Sequence, residues 1–244
     1  MIKSSEVTIT VLFDNYLHQD DLTALWGFSA YIELPGQTIL FDTGSNGRVL
    51  LRNAKLLQKE IYKVDTLFLS HHHWDHIGGL DSVIERHPGI DIVAPSSLSK
   101  RLVKDLRSMV RSVEVIGEEP HKLTQGVYTT GMMGEGVQEQ SLIIETAEGL
   151  IVITGCAHSG IVEITERAEA MRDKKVLLLL GGFHLMDEVE TQIQRVIDAL
   201  EELGVAYVSP THCSGEKAIA MFGSAFAEKY IPGGAGKVIT FPLS

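Results

Sequence analysis

The stretch LFLSHHHWDHIGGL, residues 67 to 80, constrains this chain more than any other. An apolar, strand-like run (64–70, VDTLFLS) leads straight into His71, His72, His73 and His76, four of the chain's ten histidines, with Asp75 among them. A strand that must be buried therefore ends on a cluster of imidazoles. Side chains of an extended segment alternate faces, so His71 and His73 are expected to point together and His72 away. Asp75 and His76 come where the chain should turn toward a helix opening at Gly78-Gly79. Two imidazoles on one side, with a carboxylate beside them, are donors for zinc, and also for manganese or iron. An expression tag would stand at a terminus, and a merely solvated loop has no reason to concentrate histidine.

Further ligands have to come from elsewhere. His158, His184 and His212 each stand after a strand-like run: LIVITGCA, VLLLLGGF and VAYVSPT. The carboxyl ends of strands are where an α/β fold gathers its site residues. His18, His87 and His121 have no such setting and are assigned to the surface.

The rest of the chain alternates strand-like and helix-like segments. Strands are expected at 6–13, in a hairpin of 28–34 and 38–44 turning at Pro35-Gly36, and at 64–70, 91–95, 175–180, 205–209 and 237–241. A second hairpin covers 141–155. Helices are expected at 48–60, just after Gly78-Gly79, and at 96–113, 161–172, 187–203 and 215–229. In 96–113, Leu98, Leu102, Leu106 and Met109 form the apolar face. The pattern is that of α/β layers, sheets covered by helices. With 244 residues the chain suits one large domain, 1–244.

Composition narrows the function. A net charge of −11 argues against nonspecific nucleic-acid binding. No apolar run approaches the roughly 18 to 20 residues of a membrane span. MIKSSEVTIT lacks the apolar stretch of a leader, and two cysteines, Cys156 and Cys213, are too few for a disulfide framework. The expectation is a cytoplasmic protein with a small-molecule substrate and neither nucleic-acid nor membrane partners. The oligomeric state stays open.

These residues together resemble the metallo-β-lactamase fold superfamily. HHHWDH contains its H-x-H-x-D-H signature as His71, His73, Asp75 and His76, and LFDTG (40–44) is similar to its first motif, with Asp42. FDN (13–15), GCAHSGI (155–161), GGFHL (181–185) and THCSG (211–215) resemble the branch named after dihydropterin ribofuranosylaminobenzene phosphate synthase. The resemblance covers nearly the whole chain and implies an αββα sandwich with metal at a sheet edge. It implies His71, His73 and a third histidine on one ion, and Asp75, His76 and His212 on another. The hydrolase pattern also has a histidine before one hairpin and a bridging aspartate after it. Here GVQEQ (136–140) precedes the hairpin without a histidine, and Cys156 stands where the aspartate would be. His158 is the replacement third ligand, and the count of ions is one or two.

The expected activity is hydrolysis by a metal-activated water on an unidentified small molecule, a phosphorylated one being an option. The alternatives are condensation of a dihydropterin diphosphate with an aromatic ribose phosphate, and a metal or ligand sensor without catalysis. Asp75 is a ligand that can also take a proton. His184 is an acid, a substrate donor or a spare ligand. Asp42 either orients a ligand histidine or caps its own turn. Glu139 either enters the site or is solvated, and Cys156 either ligates or packs. Lys100, Arg101, Lys104, Arg107 and Arg111 form either a solvated helix face or a lid, in which Arg101 and Arg107 hold a substrate phosphate. Trp74 either stacks on a planar substrate or packs beside the site.

Overall fold

The computed structural model describes residues 5–243; residues 1–4, on which part of the leader reading rests, lie outside them. The chain divides into two compact units, Met1–Gly117 with Gly234–Ser244, and Glu118–Gly233.

The first unit opens with β1 (Glu6–Phe13), β2 (Ser29–Leu34), β3 (Gln37–Phe41) and α1 (Gly47–Leu56). It continues with β4 (Thr66–Phe68), α2 (Trp74–Ile77), α3 (Leu80–Arg86), β5 (Asp91–Pro95), α4 (Lys100–Met109) and β6 (Ser112–Ile116). The second unit holds β7 (His121–Thr124), β8 (Val127–Thr129), β9 (Leu142–Glu145), β10 (Leu150–Thr154), α5 (Ile161–Arg172), β11 (Val176–Gly182), α6 (Glu190–Leu203), β12 (Tyr207–Thr211) and α7 (Glu216–Phe226). The chain then returns to the first unit with β13 (Val238–Pro242).

The first unit's sheet runs β13-β1-β2-β3-β4-β5-β6. It is antiparallel from β13 to β3 and parallel from β3 to β6. One face buries Leu12, Tyr31, Leu40, Leu67 and Ile92 with Leu50, Val83 and Leu106 of the helices. Ile32, Ile39, Phe41, Phe68 and Val93, on the alternate positions, are buried as well. Burial on both faces explains why these strands read as apolar runs rather than as apolar-polar alternation.

In the second unit the order is β12-β11-β10-β9-β8-β7, with β10, β11 and β12 parallel. Ile143, Val152, Leu179 and Val208 pack with Ile164, Ile197 and Phe222 of α5, α6 and α7.

Local chemistry sets the ends of the elements. Asn46 caps α1 by accepting from the amides of Arg48 and Val49 at 3.0 and 3.2 Å, and Ser99 caps α4 by accepting from Leu102 at 3.1 Å. Some expectations change. The helix expected over 96–113 is shorter, and its tail joins strand β6. Met109 is 47% exposed and Val103 takes its place on the buried face, three residues before Leu106. The β7–β8 hairpin has no signature in the sequence, because β7, an edge strand, has no buried residue to mark a face. Among the described residues no helix is long and apolar enough to cross a membrane.

Candidate metal centre

In the first unit, parallel pairing sets Phe41 of β3 opposite Phe68 of β4. Asp42 and Ser70, just beyond these strands, are thereby brought together at the same sheet edge. Asp42 is fully buried in a left-handed conformation, φ 52°. Its carboxylate accepts from the Ser70 amide at 2.7 Å, the Ser70 hydroxyl at 2.6 Å and His76 Nδ1 at 2.7 Å.

These bonds fix proton positions on two imidazoles. His76 donates its Nδ1 proton to Asp42, so in the neutral ring Nε2 carries none. The one hydroxyl proton of Ser70 goes to Asp42, so Ser70 Oγ must accept from His71 Nδ1, 2.9 Å away. His71 Nε2 is therefore also a lone pair, and it lies 3.1 Å from His73 Nδ1. A single carboxylate sets both tautomers, as outer partners of metal-binding histidines do.

The alternation expected from the sequence is present: His71 is buried, His72 exposed and His73 half-buried. Asp75 and His76 lie on α2, which starts at Trp74, earlier than Gly78-Gly79 suggested. Asp75 is 6% exposed, its Oδ2 3.7 Å from His76 Nε2. Backbone contacts hold this turn: Phe28 donates to the Asp75 carbonyl at 3.3 Å and Thr43 to that of His76 at 2.7 Å. Gly79 permits the approach, since a Cβ there would stand 2.5 Å from the Thr43 carbonyl oxygen.

In the second unit the parallel strands β10, β11 and β12 end side by side, with Thr154 opposite Gly181 and Gly182 opposite Thr211. The segments leaving these strand ends carry Cys156, His158, His184 and His212. Cys156, His158 and His184 each offer a ligand atom within 4.8 Å of the others, and so do Cys156, His212 and Cys213. The ring centroids of His158 and His184 are 4.3 Å apart. A hydrogen bond with Cys213 raises the His184 pKa above its ordinary value; burial opposes the shift and the nearby charges of Cys213, Glu139 and Asp187 reinforce it.

Glu139 is 1% exposed, which overturns the solvated alternative. Its Oε1 accepts from the amides of Gly155 and Cys156 at 2.8 and 2.9 Å, and Oε2 from that of His158 at 3.1 Å. It is a clamp on the loop after β10.

Arg101 and Arg107 stand exposed on α4, and Arg101 pairs with Asp105 at 3.8 Å. Trp74 is 63% exposed, at the start of the helix that carries Asp75 and His76. Ser70 is a site residue that sequence reasoning misses. Its only signal there is a hydroxyl directly before the motif.

A family model described as the Metallo-beta-lactamase superfamily matches residues 23–212. The chain is 29% identical to a 7,8-dihydropterin-6-methyl-4-(beta-D-ribofuranosyl)-aminobenzene-5'-phosphate synthase of Methanocaldococcus jannaschii, over 98% of both chains. It superposes with a TM-score of 0.79 and 26% identity on a crystal structure of a metal-dependent hydrolase of the β-lactamase superfamily, covering 96% of this chain and 98% of that one. The metallo-β-lactamase fold protein YhfI of Bacillus subtilis matches in fold, with a TM-score of 0.70 at 14% identity over 97% of this chain and 99% of that one. With the signature residues placed at strand ends and the family match spanning most of its length, this chain belongs to the metallo-β-lactamase superfamily and has its α/β fold.

Proposed function

We propose that this chain is a metal-dependent hydrolase of a small molecule, with His71, His73, Asp75, His76, His158 and His212 as metal ligands. The observation that supports this most is the buried Asp42, whose bonds leave Nε2 of both His71 and His76 without a proton. Neutral imidazoles with fixed lone pairs, beside the Asp75 carboxylate, fit a divalent cation, zinc first and manganese or iron as alternatives. When bound, such an ion supplies Lewis acidity, lowering the pKa of water to about 7 and stabilising negative charge. Asp75 takes up the proton released in the reaction on a carboxylate oxygen. The cations of α4 suit a phosphorylated substrate.

The similarity to the Methanocaldococcus jannaschii synthase favours a second reading, condensation of a dihydropterin diphosphate with an aromatic ribose phosphate. Product analysis separates the two. Hydrolysis consumes one substrate and incorporates oxygen from labelled water, whereas condensation needs both substrates and releases diphosphate. Elemental analysis comes first: a chain that takes up no zinc, manganese or iron defeats both readings. Replacing Arg101 and Arg107 together should weaken binding of phosphorylated ligands. Unchanged affinity removes phosphate from the proposal and leaves the hydrolase reading intact.

A further inference from the structure

The geometry points to a second ligand site in the first unit: a cavity at the carboxyl ends of α1 and α3 that takes a small planar aromatic anion, its ring against Tyr62 and its anionic group held by Lys55 and Arg86. The site stands apart from the metal-centre reading and uses none of its residues. The cavity lies where the chain enters β4, next to a short turn of helix at Ile61–Lys63, and the histidine motif follows where the chain leaves that strand.

The cavity has a volume of about 560 Å³. Small-molecule sites commonly span roughly 300 to 1,000 Å³. Leu51, Ala54 and Ile61 give it an apolar lining, and Ala54 and Ile61 are buried. Tyr62 lines it too and is 55% exposed, so its ring is open to a ligand. The Tyr62 hydroxyl is bonded to Glu60, and Lys63 Nζ lies 5.8 Å from the ring centroid. These contacts hold the ring in place, and a cation over one face leaves the other for stacking.

Charge decides the class of ligand. The chain carries a net charge of −11, yet Lys55, Lys59 and Arg86 line this cavity against one carboxylate, Glu60. Glu60 is paired with Lys63, and Lys59 with Glu33 at 2.6 Å. Lys55 and Arg86 are exposed and have no acidic partner among the described residues. Each stands in the last turn of its helix, where the carbonyl end favours a cation. That explains one positive residue per helix end, but not an apolar cavity and an exposed tyrosine ring beside both. An ammonium and a guanidinium without partners suit a carboxylate or a phosphate.

The backbone carries an independent sign. At the end of α1 the Lys59 amide donates to the Ala54 carbonyl at 2.8 Å and the Gln58 amide to that of Lys55 at 3.1 Å, the pair of bonds that closes a helix through a left-handed residue. That residue is Gln58, at φ 57°. Glycine normally takes this place, because it adopts the conformation without steric cost. A glutamine here carries strain, and strain retained in a fold gathers at ligand clamps. Gln58 lines the cavity, where its side-chain amide can donate to an anion.

The test titrates the whole chain, labelled with nitrogen-15, with 2-naphthoate as a planar aromatic anion. Saturable shifts should appear in the amides of Leu51 to Tyr62 and of Arg86. The neutral 2-naphthamide and the ringless acetate should each bind about tenfold more weakly or worse, and so should 2-naphthoate to a variant carrying both Lys55→Gln and Arg86→Gln. Gln58→Gly should raise the melting temperature, since the left-handed strain is gone, and still weaken 2-naphthoate, which separates a lost contact from a lost fold. No saturable binding, shifts confined to residues outside this cavity, 2-naphthamide bound as tightly as 2-naphthoate, or undiminished binding in either variant each overturns the inference. None of these results bears on the metal centre.

Discussion

The two units prepare the proposed metal donors by different means. In the first, a side chain acts on side chains: Asp42 reaches His76 directly and His71 through Ser70, and fixes which ring nitrogen carries the proton. In the second, a side chain acts on backbone: Glu139 gathers three amides of one loop, and left-handed residues at Ala157, His184 and His212 redirect the chain after each strand end. The difference comes from where the donors sit. His71, His73 and His76 are close in sequence, so alternation and one helical turn already converge them, and only tautomers remain to be set. His158, His184 and His212 come from three separate strand ends, so the backbone itself has to be shaped. Protonation is the soft variable in one unit and loop conformation in the other.

The largest effect is expected within the first unit. His73→Ala should lose bound metal and activity together, while His72→Ala should keep both, as read by elemental analysis after dialysis and by activity assay. Equal damage from the two would break the account in which alternation selects the donors.

Asp42→Ala comes next. Because Asp42 is fully buried and its partners would be left unsatisfied, unfolding stability should fall by about 3 kcal/mol. Metal affinity should fall about 10- to 100-fold, the usual consequence of removing an outer partner of a metal histidine. Asp42→Asn keeps the size but can offer only one acceptor oxygen to His76 and Ser70. Near-normal metal affinity in that variant would show that tautomer control is not what the carboxylate does.

Glu139→Gln sharpens the other side of the comparison. The amide presents one acceptor oxygen to three backbone donors, so stability should fall by about 2 kcal/mol in denaturant titration. Hydrogen exchange of the Gly155 to His158 amides should accelerate, while amides of the first unit should not change. Exchange that rises equally in both units would mean that Glu139 does not act locally.

The smallest effects concern the ion pairs, where the units behave alike. The Arg111 guanidinium bonded to Asp91 lowers that carboxyl's pKa, and Lys174, with Arg172, lowers that of Glu145. Each folded-state pKa lies below its unfolded value, so the stability contributed is present above the unfolded pKa. It is lost as pH falls through the folded one. Asp91→Asn and Glu145→Gln should each slightly lower the melting temperature near neutral pH and make it less sensitive to acid below pH of about 4. An unchanged acid limb in both variants would remove these pairs from the account of acid unfolding.

Much of this is readable from the chain. Apolar runs mark β4, β5, β10, β11 and β12, because strands buried on both faces need no partner to declare themselves. Alternation separates His72 from its neighbours. The edge strands β6 and β7 are hidden, since they bury little and are defined mainly by their pairing.

By itself the sequence determined which residue types stand at strand ends, the local periodicity that converges His71 and His73, and the superfamily through its motif. Tertiary structure alone decided the partners. Asp42 meets Ser70 across 28 positions and His76 across 34, Glu139 meets Cys156 across 17, and Cys213 meets Cys156 across 57. Periodicity reports only what repeats within a few residues along one segment. Which carboxylate reaches which ring nitrogen or amide depends on strand register and loop conformation, and those are set when distant segments pair.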